Sequence, residues 1–232
     1  MIFLINNNYY CWLKINTKLI GMSKSTKQPR LTDKNLIRAQ KVLFDVVDFL
    51  ESEGIDYWLE GGTLLGLVRD KELLPWDHDI DLSIPAKDAD KFALNIRKIN
   101  KKGYRVTQRR MLKDIGAFKS GDYRIFKVKR FLPSILKIVF AVAHKHMVVA
   151  DIFVKASDDK YTYWQAMEKI MRVDCKYYSS YETVEYLGRN LRVPFNYKAY
   201  LTEKYGDWST PIKNWSCGAD EKTVVGDAYE KN

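Results

Sequence analysis

The stretch Trp76-Asp77-His78-Asp79-Ile80-Asp81-Leu82-Ser83-Ile84-Pro85 constrains this chain more than any other. Along a strand, successive side chains point to opposite faces. Asp77, Asp79 and Asp81 therefore share one side, and His78, Ile80 and Leu82 share the other. Three carboxylates in a row repel one another. Half-burying them is costly unless a cation neutralises them. A divalent metal does so, and Mg²⁺ takes one or two carboxylates together with substrate phosphates. A further carboxylate is available from Asp151, which stands alone between apolar Met147-Val148-Val149-Ala150 and Ile152-Phe153-Val154. A lone Asp in so apolar a strand has no obvious packing reason. The competing reading makes Asp77–Asp81 a solvated turn and Asp151 a strand-end cap; the residues upstream weigh against it.

Those residues are Trp58-Leu59-Glu60-Gly61-Gly62-Thr63-Leu64-Leu65-Gly66-Leu67-Val68-Arg69. A Gly-Gly turn at or near a helix start leaves backbone N–H groups open to phosphate oxygens. By itself Gly61-Gly62-Thr63 is a weak signal; its position just before the carboxylate strand makes it informative.

Periodicity supplies the frame. Leu36, Gln40, Leu43, Val47 and Leu50 recur at three- and four-residue steps, with Ile37, Phe44 and Val46 widening the stripe, which predicts a helix capped by Thr32 or Asp33 and ended near Gly54. Ile55–Leu59 reads as a short buried strand and Thr63–Arg69 as a short helix. Ile80–Ile84 reads as a strand stopped by Pro85, and Lys87–Asn100 as a helix with Phe92, Ile96 and Ile99 inward. Tyr104–Arg109, Tyr123–Val128 and Val148–Val154 read as strands, and Asn196–Tyr205 as a last helix closed by Gly206. The order α-β-α-β-α-β-β-β-α is that of a mixed α/β or α+β domain. It is expected to occupy residues 31–210, after a flexible extension at 1–30 and before a tail at 211–232.

Composition narrows the classes. At 232 residues, 46% hydrophobic, with 12 Gly and 6 Pro, the chain is neither collagen-like, low-complexity nor wholly disordered. Lys and Arg number 39 against 29 Asp and Glu, a surplus of +10 that suits anionic partners. Cys11, Cys175 and Cys217 lie far apart without a CxxC pair, against a zinc ribbon or disulfide scaffold and compatible with a reducing cytosol. No signal-peptide pattern and no apolar run of about 18 residues is present, so a cytoplasmic location is expected. Lys127–Lys145 is basic and apolar; around 130–143 it reads either as an interfacial helix touching anionic membrane or as a buried helix of the domain.

Gly61-Gly62-Thr63, Asp79-Ile80-Asp81 and the later lone Asp151 resemble the nucleotidyltransferase superfamily pattern. The fuller string Gly62–Arg69 with Pro75–Asp81 resembles the LicD/fukutin family, as do Val193-Pro194, Asn196, Tyr200-Leu201 and Tyr205-Gly206-Asp207-Trp208 further on. The resemblance implies a nucleotidyltransferase-like mixed sheet flanked by helices. It implies transfer of a phosphorylated alcohol, such as phosphocholine or ribitol phosphate, from a CDP-linked donor to a glycan or glycolipid acceptor. Carried over by position, Asp79, Asp81 and Asp151 are the catalytic carboxylates and ligands of Mg²⁺ or Mn²⁺, with Asp77 beside them. Gly61, Gly62 and Thr63 hold donor phosphate, and Arg69 balances its charge or, on the plainer reading, pairs with Asp70 or Glu72. His78 departs from the family, which often has Asp there; by alternation it faces away from the acidic side.

Two other readings stay open. A nucleotidyltransferase would move AMP or CMP from an NTP to RNA, protein or a small molecule with the same carboxylates. A membrane-associated assembly protein would carry a vestigial site. Under the leading reading nucleic acid is not an expected partner. His144 and His146 lack an evident third ligand; Tyr205, Asp207 and Trp208 are candidates to line the acceptor or nucleotide pocket, with Trp208 otherwise a core plug, and Tyr177, Tyr178 and Tyr181 are candidates for either stacking on a base or sugar or packing.

Overall fold

The computed structural model describes residues 30–131, 148–212 and 215–229. The expected extension before residue 30, the segment at 132–147 and both His144 and His146 lie outside the described residues.

Helix α1, Asp33–Ser52, buries Ala39, Val42, Leu43, Val46, Val47, Phe49 and Leu50 along one face. Gly54, at φ +59°, turns the chain out of it. Two details differ from the sequence reading. Ile37 is 68% exposed, because the stripe that meets the sheet is narrower than the run of apolar residues. Thr32 sits at the N-cap, but its side chain makes no capping bond; its carbonyl accepts from the N–H groups of Asn35 and Leu36.

The chain continues through β1 (Trp58–Leu59), α2 (Gly61–Arg69) and β2 (Asp79–Pro85). A 3₁₀ turn, Ala86–Asp88, leads into α3 (Ala89–Lys101), and then come β3 (Tyr104–Arg110), β4 (Tyr123–Arg130) and β5 (Val149–Ser157). Strand β1 is shorter than the predicted Ile55–Leu59, although Ile55 and Tyr57 are buried. Helix α2 starts two residues earlier than predicted and takes in the Gly-Gly pair.

Strand β5 is central. It pairs parallel with β2 on one side and antiparallel with β4 on the other. Strands β1 and β3 flank these, and all the remaining pairings are antiparallel. The sheet is thus mixed, as expected, with helices against it. On β5, Ala150, Ile152, Val154 and Ala156 are buried, with α1 packed against the strand; Phe92 of α3 meets Phe49 of α1 and Phe126 of β4. The opposite face carries Asp151 and Lys155.

At Ala156 and Ser157, the end of β5 pairs with β6 (Tyr161–Ala166), which continues to β7 (Lys169–Asp174). A second hairpin, β8 (Tyr181–Tyr186) with β9 (Arg189–Pro194), turns on Leu187 and Gly188, both at positive φ. Neither hairpin is legible in the periodicity of the chain. Helix α4, Tyr197–Tyr205, follows where predicted, one residue later. Residues 215–229, expected as part of a tail, pack on the domain: after the short helix α5 (Cys217–Asp220), β10 (Val224–Asp227) pairs antiparallel with β7. Among the described residues no helix is long and apolar enough to cross a membrane.

Candidate active site

The parallel register of β2 on β5 sets Asp81 directly opposite Asp151. Paired strand positions share a face, and residues two apart on one strand share it too. Asp79, Asp81 and Asp151 therefore converge, although 70 residues separate Asp81 from Asp151 in the chain. On the other side of β5, Lys127 of β4 lies opposite Asp151 and its Nζ forms an ion pair with Asp151 Oδ2. The second oxygen, Asp151 Oδ1, is buried and has no hydrogen-bond partner.

Helix α2 abuts this face end-on. A Cβ on Gly61 would lie 2.9 Å from Asp81 Cγ, and one on Gly62 would lie 3.1 Å from Asp77 Cγ, with carboxylate oxygens nearer still. The two glycines are what lets the carboxylates stand against the helix N-terminus. Gly61 also takes φ +52°, which favours glycine. Thr63 is buried, and its Oγ1 accepts the Asp81 N–H at 2.9 Å. Its visible role is to pin β2 to α2.

These carboxylates are under electrostatic pressure. Burial pushes Asp79 up to about 7, helped by the charges of Asp77 and Asp151, while Lys127 opposes the shift. Burial, then Asp79, Asp77 and Asp151, raise Asp81 well above the usual carboxylate range, and Lys204 opposes. Asp77 is raised by burial too, against a 2.9 Å hydrogen bond from the His78 N–H. This face carries more negative charge than the chain itself neutralises. Among the described residues no three His, Cys, Asp or Glu side chains stand close enough to form a complete metal cage. Mg²⁺ does not require one, since phosphate oxygens and water complete its shell. Asp79 and Asp81, each raised by burial and by the charge of neighbouring carboxylates, fit such an ion.

The site opens into a cleft of about 800 Å³ lined by Gly61, Gly62, Asp79, Asp81, Lys127 and Asp151, with Trp76, Trp164, Trp208 and Trp215 among the walls. Arg69 reaches this cleft, but its guanidinium is held bidentately by Asp70 at 2.8 Å; a third nitrogen is 3.5 Å from the Trp208 carbonyl. Tyr205 also lines the cleft, and Trp208 donates to Thr202 Oγ1 at 3.1 Å. Tyr177 and Tyr178 pack inward: their hydroxyls donate to Glu203 and Glu60.

Sequence reasoning missed the support beneath the site. Glu60, 2% exposed, is the N-cap residue of α2. Its N–H donates to the Asp81 carbonyl at 3.0 Å. Its carboxylate accepts from Ser83 Oγ at 2.8 Å, Tyr178 at 2.6 Å and Tyr200 at 2.7 Å, and forms an ion pair with Lys155 at 3.2 Å. Burial alone would raise the Glu60 carboxyl, but Lys155, Lys204 and the two tyrosines outweigh it and hold it below its usual value. Lys155 sits over the Trp164 ring at 3.4 Å, and burial brings its ammonium down to about 7 against the pull of Glu60. Behind it, Lys204 of α4 pairs with Glu221 at 2.8 Å, both buried. The reasoning that singled out Asp151 applies equally to Lys155, four residues on and facing the same way; that signal was present in Val154-Lys155-Ala156.

The chain is similar in sequence to several known proteins. An 80-residue stretch is 32% identical to the uncharacterized protein RT0683 of Rickettsia typhi, covering 34% of this chain and 26% of that protein. A 43-residue stretch is 54% identical to the ribitol 5-phosphate transferase FKRP of Homo sapiens, 18% of this chain and 9% of that protein. The matched region thus spans about a quarter or less of these curated relatives. Among solved structures, ANT(2")-Ia in complex with adenylyl-2"-tobramycin superposes with a TM-score of 0.40 at 14% identity, over 77% of this chain and 81% of that one. The model of the LicD/FKTN/FKRP nucleotidyltransferase domain matches residues 54–196, from the turn before β1 to the start of α4 and across every carboxylate of the site. More than half of the chain is matched, and it belongs to the LicD/FKTN/FKRP nucleotidyltransferase-domain family.

Proposed function

We propose that this transferase moves a phosphorylated alcohol, phosphocholine- or ribitol-phosphate-like, from a CDP-linked donor to a hydroxyl of a glycan or glycolipid. The observation that carries the reading is the convergence of Asp79, Asp81 and Asp151 against the N-terminus of α2. Family membership and the name of the FKRP relative support the transferred class.

In this reading the open N–H groups at the start of α2 hold donor phosphate. Asp79 and Asp81, with Asp151 beside them, would hold Mg²⁺ or Mn²⁺. When bound, such an ion neutralises the donor pyrophosphate and stabilises the leaving nucleotide. Asp151 accepts the proton of the acceptor hydroxyl at its unpartnered Oδ1, while Lys127 keeps Oδ2 occupied and the carboxylate oriented. The acceptor oxygen bonds to the phosphorus bearing the alcohol. The bond from that phosphorus to the bridging oxygen breaks, and CMP leaves with it. The tryptophans around the cleft exclude water from competing as acceptor.

The family model's own description, a nucleotidyltransferase domain, favours a second reading in which attack falls on the α-phosphorus of an NTP. One incubation separates the two. With Mg²⁺, CDP-choline or CDP-ribitol and a hydroxyl-bearing glycan, the proposal expects CMP release, lost in Asp79→Asn. Pyrophosphate release from ATP or CTP, with nucleotide on the acceptor and no CMP from any CDP-alcohol, would sink the proposal and establish the second reading.

A further inference from the structure

Strand β4 carries a bulge beside the cleft. Arg109 of β3 pairs with Ile125, but the next residue, Arg110, pairs with Tyr123, so Arg124 is an extra residue with no opposite number. A bulge breaks the strict in-and-out alternation and re-aims a side chain. Here Tyr123 turns back to stack on the core ring of Phe126, 4.9 Å away. Arg124 joins Ile125 and Lys127 on the cleft wall.

Arg124 is 6% exposed. No carboxylate is among the groups that act on its guanidinium. Its electrostatic neighbours are the phenol of Tyr229 and a second guanidinium, Arg109, which also lines the cleft. Burial lowers the Arg124 value from its usual one; Tyr229 opposes the shift and Arg109 adds to it. A cation on a cleft wall beside a second cation, with no carboxylate acting on it, is suited to an anion entering the cleft. The planar fork of arginine matches phosphate bidentately.

The position is distinct from the donor end. Strand β5 lies between β2 and β4, so the helix N-terminus at Gly61 is on one side of Asp151 and the arginines are on the other. Arg124 is three residues from Lys127, roughly 10 Å of strand.

We propose that the bulge at Arg124, together with Arg109, builds a second oxyanion subsite that takes a phosphate carried by the acceptor. An acceptor anchored there brings its hydroxyl to Asp151 from the side opposite the donor. For the identity of the molecule bearing the phosphate this rests on the transferase reading; the anion binding does not.

The test titrates the whole protein with inorganic phosphate and, separately, with CDP plus Mg²⁺, followed by tryptophan fluorescence and melting temperature. Wild type is compared with Arg124→Gln and Arg109→Gln. Phosphate affinity should fall about tenfold or more in each variant, with CDP affinity within about twofold of wild type. Metal-free Arg124→Gln should melt no lower than wild type. Because Arg109 is exposed, its variant reports even if Arg124→Gln fails to fold. Unchanged phosphate affinity in both variants would overturn the subsite. So would phosphate competing with CDP with both affinities falling together, which would make the arginines part of the donor pocket. A protein that releases no CMP yet loses phosphate binding in Arg124→Gln keeps the subsite and rejects the transferase reading.

Discussion

Gly61→Ala adds one methyl group at the point where α2 meets the carboxylate strand. Two effects follow, and they can be separated. Gly61 has φ +52°, and a left-handed conformation costs a residue with a Cβ roughly 1–2 kcal/mol. The new Cβ would also lie 2.9 Å from Asp81 Cγ and 3.2 Å from Asp81 Cβ, where ordinary contact begins at 3.4 Å. The carboxylate has to retreat, its nearer oxygen by on the order of 1 Å, a displacement that costs roughly 10²-fold in rate when the group is catalytic. Gly103→Ala is the control. Gly103 has φ +88°, and a Cβ there would meet nothing within 4 Å. Gly103→Ala should lose roughly 1–2 kcal/mol of stability, at about 2–4 °C in melting temperature per kcal/mol for a chain of this size, and Gly61→Ala at least as much. Only Gly61→Ala should lose CMP release, by about 100-fold. The assay is CMP formation from a CDP-alcohol with Mg²⁺, alongside thermal melts of both variants. Gly61→Ala turning over at the rate of Gly103→Ala would refute the reasoning, because Asp81 would not need the position that Gly61 preserves.

Asp151→Asn should cut CMP release by about 10²–10⁴-fold while donor binding persists; loss of donor binding instead would make Asp151 a binding group. Lys155 falls to about 7 when folded, below its unfolded value near 10.4. The unfolded chain therefore binds more protons in between, and stability should rise from about pH 7 to 10. Urea unfolding at pH 7 and 9 should show this rise in wild type and a flatter profile in Lys155→Met; identical profiles would exclude Lys155 as its source. Lys204→Met leaves Glu221 buried without its cation and should cost about 3–5 kcal/mol. A loss under about 1 kcal/mol in denaturant titration would mean that residues 215–229 are not tied to the domain through this pair.

Local pattern carries much of the candidate site. Alternation alone puts Asp79 and Asp81 on one side with Ile80 and Leu82 buried on the other, and the structure keeps that division. The apolar run around Asp151 marks its strand, and the stripe from Leu36 to Leu50 marks α1, because burial on one face imposes a period that a single segment displays. The hairpins are a different matter. Tyr161–Asp174 and Tyr181–Pro194 mix exposed and buried residues without a clean period, so the propensity of each segment says little about its pairing.

Tertiary structure decided everything that depends on which segments meet. The sequence determined that Asp79, Asp81 and Asp151 each sit on a strand; only the parallel register of β2 on β5 brought Asp81 opposite Asp151, and only the antiparallel register of β4 on β5 set Lys127 opposite Asp151 from the other side. Likewise Glu60, Lys155, Lys204 and Glu221 are scattered charges until β5, α2, α4 and residues 215–229 come together. Arg124 looks like a regular strand position until the bulge turns it toward the cleft. The physical reason is common to all three: a side chain's face is written in its neighbours one and two residues away, but its partners are chosen by strand register, and register is a property of two distant segments at once.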